Sequence, residues 1–191
     1  MRPVRALALL LCVSTLALAA SGCGGGGKGY SGTKPDVWAA TVCGAVGTWT
    51  QGLKASSAQL SSGLGGTTDI KVVKARFIAF LVTAERSSGA MVTTIAATGP
   101  PAVKDGAAIQ KELVSGLERA QSSFTRAIAR AKKLSATDPQ AFSTGVQALG
   151  GDVQKELTAV GTNFSTLGDK YTDTTLNKAT SEEPACKKIG G

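Results

Sequence analysis

Apolar residues recur every three or four positions over most of the chain, a spacing typical of amphipathic α-helices. Breakers divide this pattern into four segments, at about residues 35–60, 68–97, 103–134 and 139–167. No segment alternates apolar and polar residues convincingly enough to predict a strand. Long helices joined by short corners favour antiparallel neighbours. The pattern therefore predicts an all-α fold, an antiparallel up-and-down four-helix bundle with a C-terminal tail over residues 171–191.

Glycine and proline mark the corners of this predicted bundle. A Ser-Ser-Gly-Leu-Gly-Gly run at 61–66 ends the first segment, and Gly-Pro-Pro at 99–101 ends the second. Pro139 is suited to the first turn of the fourth segment, where its missing N–H is not needed. Gly150 and Gly151 interrupt that segment and each cost about 1 kcal/mol relative to alanine. They predict a kink or a close contact with a neighbouring helix.

The N-terminus has the pattern of an export signal. Two arginines precede an apolar stretch at 7–20, which is shorter than the roughly 20 residues needed to span a bilayer. The following Ala20-Ser-Gly-Cys23 resembles the lipobox of bacterial lipoproteins, although that motif usually has leucine where Ala20 stands. The resemblance implies that Cys23 becomes a lipid-modified N-terminus carrying a diacylglycerol. The alternative is an ordinary secretory signal cut near Ala20, which would leave Cys23 a free thiol.

A glycine-rich segment, predicted to be a flexible tether, follows Cys23 and ends at Lys34. Together with the lipobox, it resembles the small secreted lipoproteins of actinomycete-type bacteria. The resemblance covers only about residues 1–34 and implies a signal peptide at 1–22 and a lipidated cysteine and tether at 23–34. The apolar periodicity predicts that residues 35–191 form the four-helix bundle domain. The resemblance also implies that the membrane is a partner through the lipid. The protein would then be anchored to the extracytoplasmic face of the cell membrane.

Cysteine usage agrees with export. The chain has four cysteines; Cys12 would leave with the signal and Cys23 would carry lipid, so that Cys43 and Cys186 remain. In an antiparallel bundle the fourth helix ends beside the start of the first. A tail leaving that end can bring Cys186 back to Cys43. We therefore predict a disulfide between them, the alternative being two free thiols.

Composition argues against most catalytic chemistry. The 191 residues include no histidine, which excludes Ser-His-Asp and Cys-His catalysis and histidine-containing metal sites. A Ser-x-x-Lys match at residues 31–34 and a glycine–lysine run at 22–29 lack the other motifs that their families require. We predict a protein that is not an enzyme and has no cofactor or metal. An enzyme that uses serine, lysine or carboxylates alone is the weaker alternative.

Two tryptophans and a basic charge suggest possible contacts. Trp38 and Trp49 lie about three turns apart on the same side of the first helix, so they either pack in the core or line a ligand pocket. The net charge of +8 falls to +6 when Arg2 and Arg5 leave with the signal. Basic residues at 126–133 either form a solvated face or meet anionic lipid headgroups. No recognition motif supports nucleic-acid binding.

These observations favour a membrane-anchored, extracytoplasmic helical lipoprotein that acts as a binding or envelope-interaction module. Its partner would be an envelope protein or a small apolar ligand. The alternative function is a small-molecule or lipid carrier with an interhelical cavity near Trp38 and Trp49.

Overall fold

The computed structural model describes residues 29–64 and 68–189, except for the side chains of residues 64 and 163–165. Within these ranges every secondary-structure element is an α-helix, which confirms an all-α helical bundle. The helices are α1 (Pro35–Leu64), α2 (Ile70–Thr98), α3 (Gly106–Lys132), α4 (Pro139–Lys170), α5 (Thr174–Glu182) and α6 (Pro184–Ile189). None of the described helices is long and apolar enough to cross a membrane.

Aspartate side chains fix the starts of the second and fourth helices. Asp69 accepts a hydrogen bond from the Lys71 backbone N–H at 2.8 Å, and Asp138 accepts one from the Ala141 N–H at 3.0 Å. Each carboxylate satisfies a backbone donor that has no partner within the helix. Helix α1 runs four residues beyond its predicted end at residue 60, through the Ser-Ser-Gly-Leu sequence at 61–64. The Ser62 hydroxyl donates to the Gln59 carbonyl there at 3.1 Å.

The helices pack in sequence order, with one open side. Helix α2 contacts α1 and α3, and α3 contacts α2 and α4. Helices α1 and α4 approach each other less closely than these neighbouring pairs do, and two separate openings lie between them. We call this boundary the α1–α4 seam.

The predicted C-terminal tail folds into two short helices, which the sequence analysis did not predict. Helices α5 and α6 pack against α1. Asp173 caps α5 by accepting hydrogen bonds from the N–H groups of Thr175 and Leu176. Leu176 is only 7% exposed and joins the core formed by α1, α2 and α3. Helical periodicity is recognised over about 11–18 residues, and α5 has only nine, with one buried leucine. The sequence pattern therefore did not predict this helix.

The core consists of two apolar clusters, one toward each end of the bundle. The first includes Trp38, Val42, Ile95, Leu113 and Leu176. The second includes Leu81, Ala84, Phe124, Ala131 and Leu149. The half-buried indole of Trp49 packs against both clusters and therefore links them along α1.

The segment before α1 is fixed at Thr33, one residue short of the predicted end of the tether. The Thr33 N–H donates to the Pro100 carbonyl at 2.8 Å, and the Ala102 N–H donates to the Thr33 carbonyl at 2.7 Å. Gly32 has φ +146°, where a side chain would collide with the Pro100 backbone. The chain thus enters α1 alongside the loop between α2 and α3.

Candidate functional site

An apolar cavity of about 200 Å³ opens at one end of the seam. It lies between the first turns of α1 and α3, the last turn of α4, and α5. The side chains that form its walls include Trp38, Val42, Ile109, Leu113, Leu167 and Leu176. We call it the Trp38 cavity.

The size and lining of the Trp38 cavity suit a small apolar molecule. An apolar cavity of about 150 Å³ lined by leucine, isoleucine and phenylalanine is large enough to bind benzene. The Trp38 cavity is larger, at about 200 Å³. Gly168 lines the cavity, and no heavy atom lies within 4 Å of the position that a Gly168 Cβ would occupy. The missing side chain therefore leaves free space at the wall.

Two buried hydrogen bonds hold Trp38 in the cavity wall. Its indole Nε1 donates to Gln110 Oε1 at 2.9 Å, and Gln110 Nε2 donates to the Ile95 carbonyl at 2.7 Å. Both side chains are buried, so leaving either group unpaired would be costly. The sequence interpretation missed Gln110. Its position, three residues before Leu113 and seven before Leu117, places it on the buried stripe of α3 and was the available signal.

Trp49 has a different environment. Its Nε1 donates to Ser88 Oγ at 2.9 Å, and the Ser88 hydroxyl donates to the Ala84 carbonyl at 2.7 Å. The side chains that line the Trp38 cavity do not include Trp49. The structure therefore separates the two tryptophans that were considered together: Trp38 lines the cavity, and Trp49 packs between the core clusters. Ser88 lies four residues after Ala84, on the buried stripe of α2. Helical periodicity alone therefore identifies it as a polar residue on an otherwise apolar face.

The predicted Cys43–Cys186 disulfide is present. The two Cα atoms are 4.9 Å apart although 143 positions separate the residues in sequence. Cys43 lines the Trp38 cavity, so the bond holds α6 against α1 beside that cavity. Cys23 lies outside the described residues, and its lipidation stays a prediction, as do the signal peptide and the anchor.

A polar cluster borders the same cavity. Tyr171 lines the cavity, and its hydroxyl donates to Glu112 Oε1 at 2.8 Å. Lys170 Nζ donates to the same oxygen at 2.6 Å. The hydrogen bonds from Lys170 and Tyr171 lower the pKa of Glu112 below its ordinary value of 4.5. The hydrogen bond to Glu112 in turn raises the pKa of Lys170 above 10.5. The ion pair therefore stays charged throughout the neutral range.

A second apolar opening lies farther along the seam. It has a volume of about 330 Å³, and its walls include Leu53 of α1, Phe80 of α2 and Val153 of α4. Gly150 also lines it. No heavy atom lies within 4 Å of the Cβ position of Gly150 or Gly151, so the predicted close contact at these glycines is wrong. Helix α4 continues through Gly150 and Gly151, and the second opening lies beside Gly150.

The described part of the chain offers little for metal chemistry. It contains no group of three or more cysteine, aspartate or glutamate side chains placed to hold a metal ion. Comparisons of the chain with protein-family models, with curated proteins and with solved structures found no match. Function must therefore be argued from the Trp38 cavity and its surroundings.

Proposed function

We propose that this protein is a lipid-anchored extracytoplasmic binding module, without catalytic activity, whose ligand is a small molecule with an apolar part that is held in the Trp38 cavity. The observation that carries the proposal is the cavity itself, an apolar space of about 200 Å³ whose walls come from α1, α3, α4 and α5. A concave, mostly apolar site with a few polar groups at its edge is the usual form of a small-molecule site. The Tyr171–Glu112 pair supplies such an edge.

The place of the cavity supports a role at the membrane. Trp38 and Val42 lie in the first turns of α1, directly after Thr33. Ten residues connect Cys23 to Thr33, and ten residues span at most roughly 36 Å when fully extended. With Cys23 anchored, the cavity would therefore stay close to the membrane surface and to apolar molecules dissolved in it.

The binding proposal is tested with an uncharged apolar fluorophore, N-phenyl-1-naphthylamine, whose emission rises when it leaves water. We expect the protein to bind it. A Gly168→Leu variant should weaken binding by roughly tenfold or more, because a large side chain is added to a residue that lines the cavity. Gly161→Leu is the matched control, since Gly161 lies on α4 with open space around it but does not line the cavity. Equal binding by both variants would contradict the proposal.

The anchor is tested separately in the native host. A Cys23→Ser variant should leave the membrane fraction and appear in the soluble extracytoplasmic fraction, since no lipid can be attached to serine through a thioether. Membrane retention of the variant at the wild-type level would overturn the anchoring proposal. That outcome would leave the fluorophore result unaffected.

A further inference from the structure

A groove that is rich in basic residues lies next to the Trp38 cavity. It runs between α3 and α4, has a volume of about 210 Å³, and is lined by Lys111, Glu112, Arg119 and Lys170 among others. We call it the cationic groove. Leu167 lines both the groove and the cavity, and Tyr171 of the cavity is bonded to Glu112 of the groove. The two spaces therefore share a wall.

The charges of the cationic groove are only partly balanced. Glu112 is bound by Lys170 at 2.6 Å, which pairs one cation with the one carboxylate that lines the groove. Lys111 and Arg119 make no ion pair with any carboxylate in the part of the chain that the structure describes. Three cations and one carboxylate leave a net charge of +2. This excess favours an anionic group.

We infer that the ligand of this protein is an anionic amphiphile with one acyl chain, whose chain occupies the Trp38 cavity and whose headgroup lies in the cationic groove. The inference rests on the proposed function and adds the class of ligand. An apolar space and a cationic space that share Leu167 match the two halves of such a molecule. Arg119 and Lys111 would bind a carboxylate or phosphate through charge-assisted hydrogen bonds.

Two probes with the same chain length separate the contribution of the headgroup from that of the chain. Octanoate carries a carboxylate and octan-1-ol an uncharged hydroxyl on a chain short enough for a cavity of about 200 Å³, so we expect the protein to bind octanoate roughly tenfold more tightly, a preference that decreases with added salt. Acetate and inorganic phosphate, which lack a chain, should not compete at equal concentration. Competition by phosphate alone would indicate a simple anion site and would overturn the inference.

A double variant, Lys111→Gln with Arg119→Gln, tests the groove directly. It should reduce octanoate affinity to about that of octan-1-ol and leave octan-1-ol binding unchanged. The matched control is Lys71→Gln with Arg86→Gln, which removes the same charge from α2, a helix that contributes no residue to the groove. If the Lys111 and Arg119 variant retains the wild-type preference for octanoate, the headgroup assignment is wrong.

The outcomes also distinguish the two proposals. If N-phenyl-1-naphthylamine and octan-1-ol bind but octanoate binds no more tightly than octan-1-ol, only the anionic headgroup is refuted. If none of the apolar probes binds, the Trp38 cavity is not a ligand site, and both proposals fail. Circular dichroism of each variant confirms that a loss of binding is not a loss of helix.

Discussion

Helices α3 and α4 carry apolar stripes of similar regularity, yet they are buried to very different extents. Of the 27 residues of α3, eleven are buried. Helix α4 has 32 residues, and among those whose side chains the structure describes only two, Phe142 and Leu149, are buried. Val153, Leu157 and Leu167 occupy the same stripe of α4 but remain half-exposed.

The difference arises from the number of neighbours. Helix α3 packs between α2 and α4, whereas α4 packs on α3 and borders the α1–α4 seam on its other side. Periodicity identifies which face of a helix points inward, but it does not state whether a second helix covers that face. The half-covered stripe of α4 provides the apolar walls from which both openings of the seam are built.

The largest expected effect concerns the disulfide that closes one end of the seam. Replacing Cys43 and Cys186 by serine should lower the free energy of unfolding by about 4–5 kcal/mol in the chain-entropy picture, because the bond closes a loop of more than 100 residues. Native-state hydrogen exchange should show that α5 and α6 lose protection first. If α2 and α3 lost as much protection as α5 and α6, the structure beside the seam would be no less stable than the α2–α3 side of the bundle.

A matched pair of leucine truncations tests the comparison itself. Leu117→Ala on α3 should cost about 3 kcal/mol, since Leu117 is 2% exposed and its removal leaves a cavity. Leu157→Ala on α4 should cost about 1 kcal/mol, because its side chain is half-exposed already. Denaturation by urea measures both values. Similar losses would mean that α4 is as well packed as α3.

Glycine substitutions should have opposite signs on the two helices. Gly161→Ala on α4 should stabilise the protein by about 1 kcal/mol, because nothing lies within 4 Å of the new methyl group and alanine favours helix. Gly106→Ala at the start of α3 should destabilise it by about 1–3 kcal/mol, since the methyl group would collide with the Pro101 carbonyl. Thermal unfolding measures both, and stabilisation by Gly106→Ala would contradict the tight packing at that end.

The smallest effect concerns the exposed contact between α3 and the end of α4. Because the pKa of Glu112 is lowered from 4.5, its contribution to stability is complete above that value and is lost as pH falls through the lowered pKa. Glu112→Gln should therefore reduce the acid dependence of the melting temperature. Glu118→Gln, on the same helix but outside this cluster, is the control. An unchanged acid dependence in Glu112→Gln would show that this contact does not hold α4 to α3.

Most of the fold was predictable because its signals are local. The spacing of Leu113, Leu117 and Phe124 predicts a helix and its buried face, and Asp138 with Pro139 predicts where α4 begins. The disulfide was also predictable, because the order of the helices brings the chain end back to α1. The sequence did not distinguish the roles of Trp38 and Trp49, because both lie on the same side of α1. The structure separates them by their hydrogen-bond partners, which are Gln110 for Trp38 and Ser88 for Trp49.

The sequence by itself determined that the chain forms four long helices, where their apolar faces lie and which two cysteines pair. Only the tertiary structure decided that α1 and α4 remain apart, that α5 and α6 pack against α1, and that a cavity forms at Trp38. The physical reason is that helix formation and amphipathicity depend on neighbours within a few turns. The separation of two helices depends instead on the combined volume of side chains that are distant in sequence.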